Sequence, residues 1–255
     1  MPQFLSADYA GPPFVMFGTA HIAALAALGV LNIVLIRLGR VSARSRAIVR
    51  TGLAATLWIA ESSWHLWNLA VGTWTPQTML PLNLCSLLIW LCGVMLLQGD
   101  SRIYEFAYFL GIGGAIQYLL TPDLGQYGFP HFRFFQTFTS HGLLLTAPVF
   151  MTVAEGFRPT WKSIRRVVIG TNLYMFLIFL LNSAIGSNYL MLNAKPVTPS
   201  LLDLLPPWPC YIPFMELIGV STCLLLFLPF LVADRRAARA RPGNESSTGT
   251  DSGPR

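Results

Sequence analysis

Residues 15–37 read VMFGTAHIAALAALGVLNIVLIR, an apolar run that meets no formally charged side chain before its closing arginine. Wound as a helix it is about 34 Å long, enough to cross a hydrocarbon core of about 30 Å. The next residues, LGRVSARSR, reverse its character with three arginines and two serines. A long apolar run followed by a basic connection predicts a membrane span ending at a water interface.

The same alternation continues along the chain and predicts seven helices, near 15–37, 48–70, 79–98, 102–121, 133–155, 164–186 and 210–233. The 255 residues are 54% hydrophobic and 11% charged, too apolar for an ordinary soluble domain. The fold class expected is all-α: a polytopic membrane protein, a bundle of seven transmembrane helices. An N-terminal segment, 1–14, precedes the transmembrane domain, 15–233. A disordered basic tail, 234–255, follows it, rich in Gly, Ser, Pro and Arg. The opening lacks a basic region before its first apolar run, so a cleavable signal peptide is not expected.

Charge sets the expected orientation. The connections after helices 1, 3 and 5 and the tail hold all of the 17 Lys and Arg residues except Arg133 and Lys195. By the positive-inside rule the N-terminus lies outside and the C-terminus in the cytoplasm of a multi-pass protein of the cell membrane. The net charge of +6 sits at the ends of apolar runs, which argues against nucleic acid as a partner.

Ionisable groups inside a span cost about 2.5–3.5 kcal/mol each on insertion scales, so their placement is informative. Here they fall at one depth. His21, Cys85, His141 and Glu216 lie a few residues into helices 1, 3, 5 and 7; His65, Gln117 and Asn182 lie near the ends of helices 2, 4 and 6. All are expected roughly 6–12 Å below the outer interface. Glu61, His65 and Asn68 share a face of helix 2, and Thr137, Ser140 and His141 a face of helix 5.

A cysteine beside a histidine is the smallest nucleophile–base pair for acyl transfer: the imidazole takes the thiol proton and the thiolate attacks an ester carbonyl. Taken alone, a cysteine in a span is a small packing residue, as Cys92 and Cys223 read, and a lone histidine is a hydrogen-bonded structural group or proton carrier. The spacing of the histidines and glutamates matches no metal motif, so neither a metal nor a cofactor is expected. The glycines Gly111, Gly113 and Gly114 are expected to admit close helix packing.

Two stretches carry a family resemblance: PLNLCSLL at 81–88, and GSNYLMLNAKPVTPSLLDLLPPWPCYI at 186–212 with its NYL, KP, SLLD and PWPxY elements. They resemble the YwaF-like integral membrane proteins, whose animal relative, transmembrane protein 164, is described as an acyltransferase acting on polyunsaturated chains of ether phospholipids. The resemblance implies Cys85, in PLNLC, as nucleophile and His141, in TSHG, as base. It implies membrane lipids as partners, with a phospholipid or acyl substrate. On this expectation His21, Glu61, His65, Asn83, Gln117, Asn182 and Glu216 line the cavity, Asn83 and Asn182 as polar or oxyanion partners. The alternative is a proton-coupled transporter, using Glu61, His65 and Glu216 as a relay, or a small-molecule binding protein without catalysis.

Overall fold

The computed structural model describes residues 3–196 and 201–239. Seven long or medium helices dominate: α1 (Thr19–Val41), α2 (Ala43–Ala70), α3 (Leu84–Gln98), α4 (Ser101–Leu120), α5 (Phe132–Ala154), α6 (Trp161–Ile185) and α7 (Tyr211–Arg239). Short 3-10 turns add Gln3–Leu5, Tyr189–Met191 and Leu201–Leu204, and no strand occurs among the described residues. By length and composition α1, α4, α5, α6 and α7 can each cross a membrane, and α3 is a shorter apolar helix. α2 is long but carries Arg44, Arg46, Arg50, Glu61, His65 and Asn68, which dilute its hydropathy.

Local chemistry explains the helix ends. Phe17 adopts a left-handed φ of 57° before the N-cap Gly18, so α1 starts at Thr19 and not at residue 15. A single residue, Ser42, joins α1 to α2, and its side chain accepts from the Ser45 amide at 3.1 Å. α3 starts later than the 79 expected, because the backbone before it is taken by other partners. The Leu80 amide donates to the Tyr189 hydroxyl at 2.8 Å, and the Leu82 carbonyl accepts from Tyr174 at 2.7 Å. Gly99, with a φ of 71°, closes α3, and Asp100 at once caps α4. α4 contains a π turn at Ala107–Gly111. α7 runs six residues past the boundary read at 233; residues 240–255, the rest of the expected tail, lie outside the described residues.

α5 is the central helix, packed on α1, α2, α3 and α4, while α6 and α7 cover the far side of α4. The core cluster joins Leu57, Ile89, Cys92, Leu96, Phe109, Leu144, Ala147 and Phe150. The outer helices turn large apolar side chains away from it: Ile33 and Val34 on α1, Leu173, Phe176 and Leu177 on α6, Leu217 and Leu225 on α7. Apolar surface on this scale needs lipid to cover it.

The two faces of the bundle differ. One, here the basic face, carries arginines that satisfy helix C-terminal carbonyls. Arg50 donates to Leu96 at 2.5 Å and pairs with Glu155 at 3.1 Å, and Arg40 reaches the Val153 carbonyl at 3.2 Å. The other, the N-terminal face, is closed by two tied segments. Residues 3–14 fold down through Trp67 Nε1 to the Leu5 carbonyl (2.9 Å), Gln126 to Ala7 (2.7 Å) and His131 to Ser6 (3.1 Å). The loop after α6 is tied by Asn182, Tyr189 and Tyr211.

Candidate functional site

Cys85 sits in the first turn of α3 as a free, partly exposed thiol with no hydrogen bond among the described residues. Its sulfur faces α4 at Gly114: a β-carbon on that glycine would stand 3.5 Å from Sγ. One turn further along the same face of α4 is Tyr118. Its ring lies flat on His141 of α5, with centroids 3.9 Å apart and planes within 13°. The two residues singled out for chemistry therefore meet the same face of one helix, about 6 Å apart along its axis.

The hydrogen bonds of His141 define its proton. Nδ1 lies 3.2 Å from the Thr137 carbonyl and 3.2 Å from Ser140 Oγ. A carbonyl only accepts, so Nδ1 carries the hydrogen and Nε2 keeps its lone pair. Nε2 has no partner among the described residues, which is the tautomer a general base needs.

Beside Cys85 lies a second polar group. Glu61, buried on α2, accepts from the Ser86 hydroxyl and lies within electrostatic reach of Cys85. His65 Nε2 is 3.7 Å from Glu61, and His65 Nδ1 accepts from the Trp74 indole at 3.3 Å. An indole N–H only donates, so neutral His65 holds its hydrogen on Nε2, turned to the carboxylate. A cavity of about 460 Å³ opens beside His65, lined by Leu69, Trp74, Met79, Pro81 and Trp90.

Of the polar layer expected from sequence, Glu61, His65 and Cys85 are neighbours, His141 meets the α4 face that Cys85 also meets, and the rest are engaged elsewhere. His21 is fully buried with both ring nitrogens engaged, Nδ1 by the Phe17 amide (2.9 Å) and Nε2 by the Leu119 carbonyl (2.8 Å). It clamps α1 to the end of α4. Asn83 accepts from the Leu190 amide at 3.2 Å. Asn182 is saturated: its amide donates to the Tyr189 carbonyl and Asn193, and its oxygen accepts from Ser187 and the Tyr189 amide. Both asparagines thus organise the 186–194 loop, Asn182 with both its oxygen and its amide and Asn83 through its oxygen. Gln117 is exposed on the outer side of α4, and Glu216 pairs with Asn172 of α6 at 2.6 Å. A common expected depth says nothing about rotation, and rotation sends these side chains to different partners. Lys195 is likewise spoken for, donating to the Leu205 carbonyl at 2.7 Å.

The site also contains residues that sequence reasoning passed over. Arg133, read as a topology charge, turns inward. Its guanidinium stacks on the Trp64 ring at 3.8 Å, reaches Gln136 at 3.5 Å and lies within electrostatic reach of the Tyr118 hydroxyl. Arg133, Thr137 and His141 are spaced by four along α5, as are Gly114 and Tyr118 along α4, so the helical period was the available signal.

Among the described residues no group of three or more metal-ligating side chains is assembled. A family model described as TMEM164 family matches residues 16–227. The chain belongs to that family. No curated protein and no solved structure matches it. The family match and the outward-facing apolar helices together make this a multi-pass integral membrane protein. The match spans α1 to α7 and includes both Cys85 and His141.

Proposed function

We propose that this protein is a membrane enzyme that transfers or hydrolyses a lipid acyl ester, with Cys85 as nucleophile and His141 as general base. The supporting observation is the shared face of α4: the Cys85 sulfur packs at Gly114, and the His141 ring stacks on Tyr118 one turn away with Nε2 free. In the reaction His141 Nε2 takes the thiol proton and the thiolate adds to the ester carbonyl. The tetrahedral intermediate collapses to a thioester on Cys85, and the departing alkoxide takes the proton from the imidazolium. Water or an acceptor hydroxyl then attacks the thioester, giving its proton to His141 and returning Cys85 as a thiol. Glu61, bonded to Ser86 and 3.7 Å from His65, is a charge that acts on the sulfur.

All seven helices cross the bilayer in this reading, with the N-terminal face outside and the basic face in the cytoplasm of the cell membrane. The arginine-rich connections support that orientation. The substrate then enters sideways from the outer leaflet.

The direct test is intact-mass analysis of the purified full chain after exposure to phospholipid carrying a labelled acyl chain. A hydroxylamine-labile acyl adduct on Cys85 is expected, absent in Cys85→Ala and slowed in His141→Ala. No adduct in the wild type, or an equal adduct in His141→Ala, overturns the mechanism.

A proton-carrier reading draws on a different observation, the Glu61–His65 pair beside an open cavity. It requires pH-dependent flux that survives Cys85→Ala.

A further inference from the structure

The connection between α4 and α5 places a cation where the membrane fold gives it a cheaper alternative. Arg133 is in the first turn of α5, at the N-terminal face of the bundle, and an arginine there can extend its long side chain to water. It turns inward, largely buried, onto Trp64, Tyr118 and Gln136. Those three partners are neutral. Asp123, on the connection before α5, is the carboxylate that acts on the guanidinium. Gln136 engages one of its five N–H donors.

A stacked guanidinium is held flat and pre-oriented, the geometry in which it binds a phosphate or carboxylate through two parallel N–H bonds. The position fits such a ligand. Arg133 lies on the same face of α5 as His141, two turns away, and its charge acts on the Tyr118 whose ring carries His141, so an anion bound here lies near the candidate base. The site remains partly exposed, so a ligand can reach it.

We propose that Arg133 is the anion-binding residue of this site, taking the phosphate or carboxylate of an acidic lipid and fixing the lipid's position against His141 and Cys85. This names the substrate class of the acyl-transfer reading. It rests on that reading for the chemistry that follows binding, not for binding itself. Asp123 is the internal counter-charge that the incoming anion displaces, so neutralising Asp123 strengthens binding and neutralising Arg133 abolishes its selectivity.

The test uses the full chain in nanodiscs of zwitterionic lipid, titrated with three probes bearing dibrominated chains: phosphatidate, free fatty acid and diacylglycerol. Quenching of Trp64 is read as the difference from Trp64→Phe. The wild type is expected to prefer an anionic probe over diacylglycerol by roughly tenfold or more. A phosphatidate preference assigns a lipid headgroup, and a fatty-acid preference a free carboxylate. Arg133→Gln should erase the preference, Arg133→Lys should weaken it, and Asp123→Asn should sharpen it. No preference in the wild type, its survival in Arg133→Gln, or its weakening in Asp123→Asn overturns the proposal. If Arg133→Gln does not fold, the lysine variant and Asp123→Asn decide. Selective binding without any Cys85 thioester would defeat the acyl-transfer reading alone; a thioester formed without anion selectivity would defeat this proposal alone.

Discussion

Tyr118 lies face to face on His141 at 3.9 Å, with the Arg133 charge acting on its phenol. The tyrosine therefore fixes the imidazole plane from one side while the Thr137 carbonyl fixes its Nδ1 hydrogen from the other. A base oriented by two independent contacts points Nε2 in one direction.

Removing the ring should misorient the base without removing it. Tyr118→Ala is expected to slow acylation of Cys85 by about tenfold, in line with the loss of an aromatic contact and of a positioned base. Tyr118→Phe keeps the stack and should retain most of the rate. Single-turnover formation of the thioester measures both, and equal rates in wild type and Tyr118→Ala would remove tyrosine from the mechanism.

Gly114 controls the space in front of the sulfur. Its absent β-carbon would lie 3.5 Å from Cys85 Sγ, ordinary contact, so Gly114→Ala should be tolerated. Gly114→Leu should fill the approach to the thiol and block both alkylation and acylation. In a Cys210→Ser background, which removes the exposed cysteine, N-ethylmaleimide labelling of Cys85 followed by mass spectrometry reads the difference. Unchanged labelling in Gly114→Leu would show that the thiol is approached from elsewhere.

His131 ties the N-terminal segment to α5. It is buried, accepts from the Arg133 amide at 3.1 Å and holds the Ser6 carbonyl at 3.1 Å. Burial pushes its pKa below the ordinary 6.5, the Ser6 hydrogen bond opposes that shift, and the Arg133 charge adds to it. A depressed histidine pKa means that the unfolded chain binds more protons. The tie is therefore at full strength above 6.5 and weakens as pH falls below it. Protection of the residue 3–14 amides, relative to their intrinsic exchange rates, should fall between pH 7.5 and pH 5, and His131→Phe should abolish that dependence. An equal pH response in His131→Phe would assign it to another group.

Asn182 supports the loop after α6 with four hydrogen bonds, two of them to Tyr189. Asn182→Ala leaves buried backbone groups unpaired and should cost about 1–3 kcal/mol. The expected readout is faster chymotryptic cleavage at loop residues such as Tyr189 and Leu192, with the helices retained. The same loop holds two non-glycine residues in left-handed backbone, Leu190 and Met191 at φ of 58° and 54°. Such strain persists only where surrounding contacts over-determine it. Tyr211 and Asn83 bond that backbone directly, so the 186–212 motif is legible as a set of ties, which its sequence alone did not reveal.

Much of the candidate site could be read along the chain. The buried face of α2 follows the predicted phase, with Glu61 and Asn68 on it and His65 at its edge. His21, Gln117 and Asn182 were expected at the depth of Cys85 and His141, but depth carries no information about rotation. His21 turned to the Leu119 carbonyl, Gln117 outward, and the asparagines to a loop. Arg133 shows the converse: its charge counted toward topology, and only its neighbours reveal that it faces inward.

The sequence by itself determined that this chain folds as helices in lipid, where those helices lie, and that its positive charge gathers at one face. Those properties depend on sums over twenty residues, because a bilayer must satisfy every backbone group within a segment and exclude most charge. Which polar side chains meet was decided by the tertiary structure. A turn of about 100° in a helix's rotation moves a residue from lipid to core at almost constant depth. Only the packing of α2, α3, α4 and α5 around Gly114 and Tyr118 brings Cys85, Glu61, His141 and Arg133 into one place.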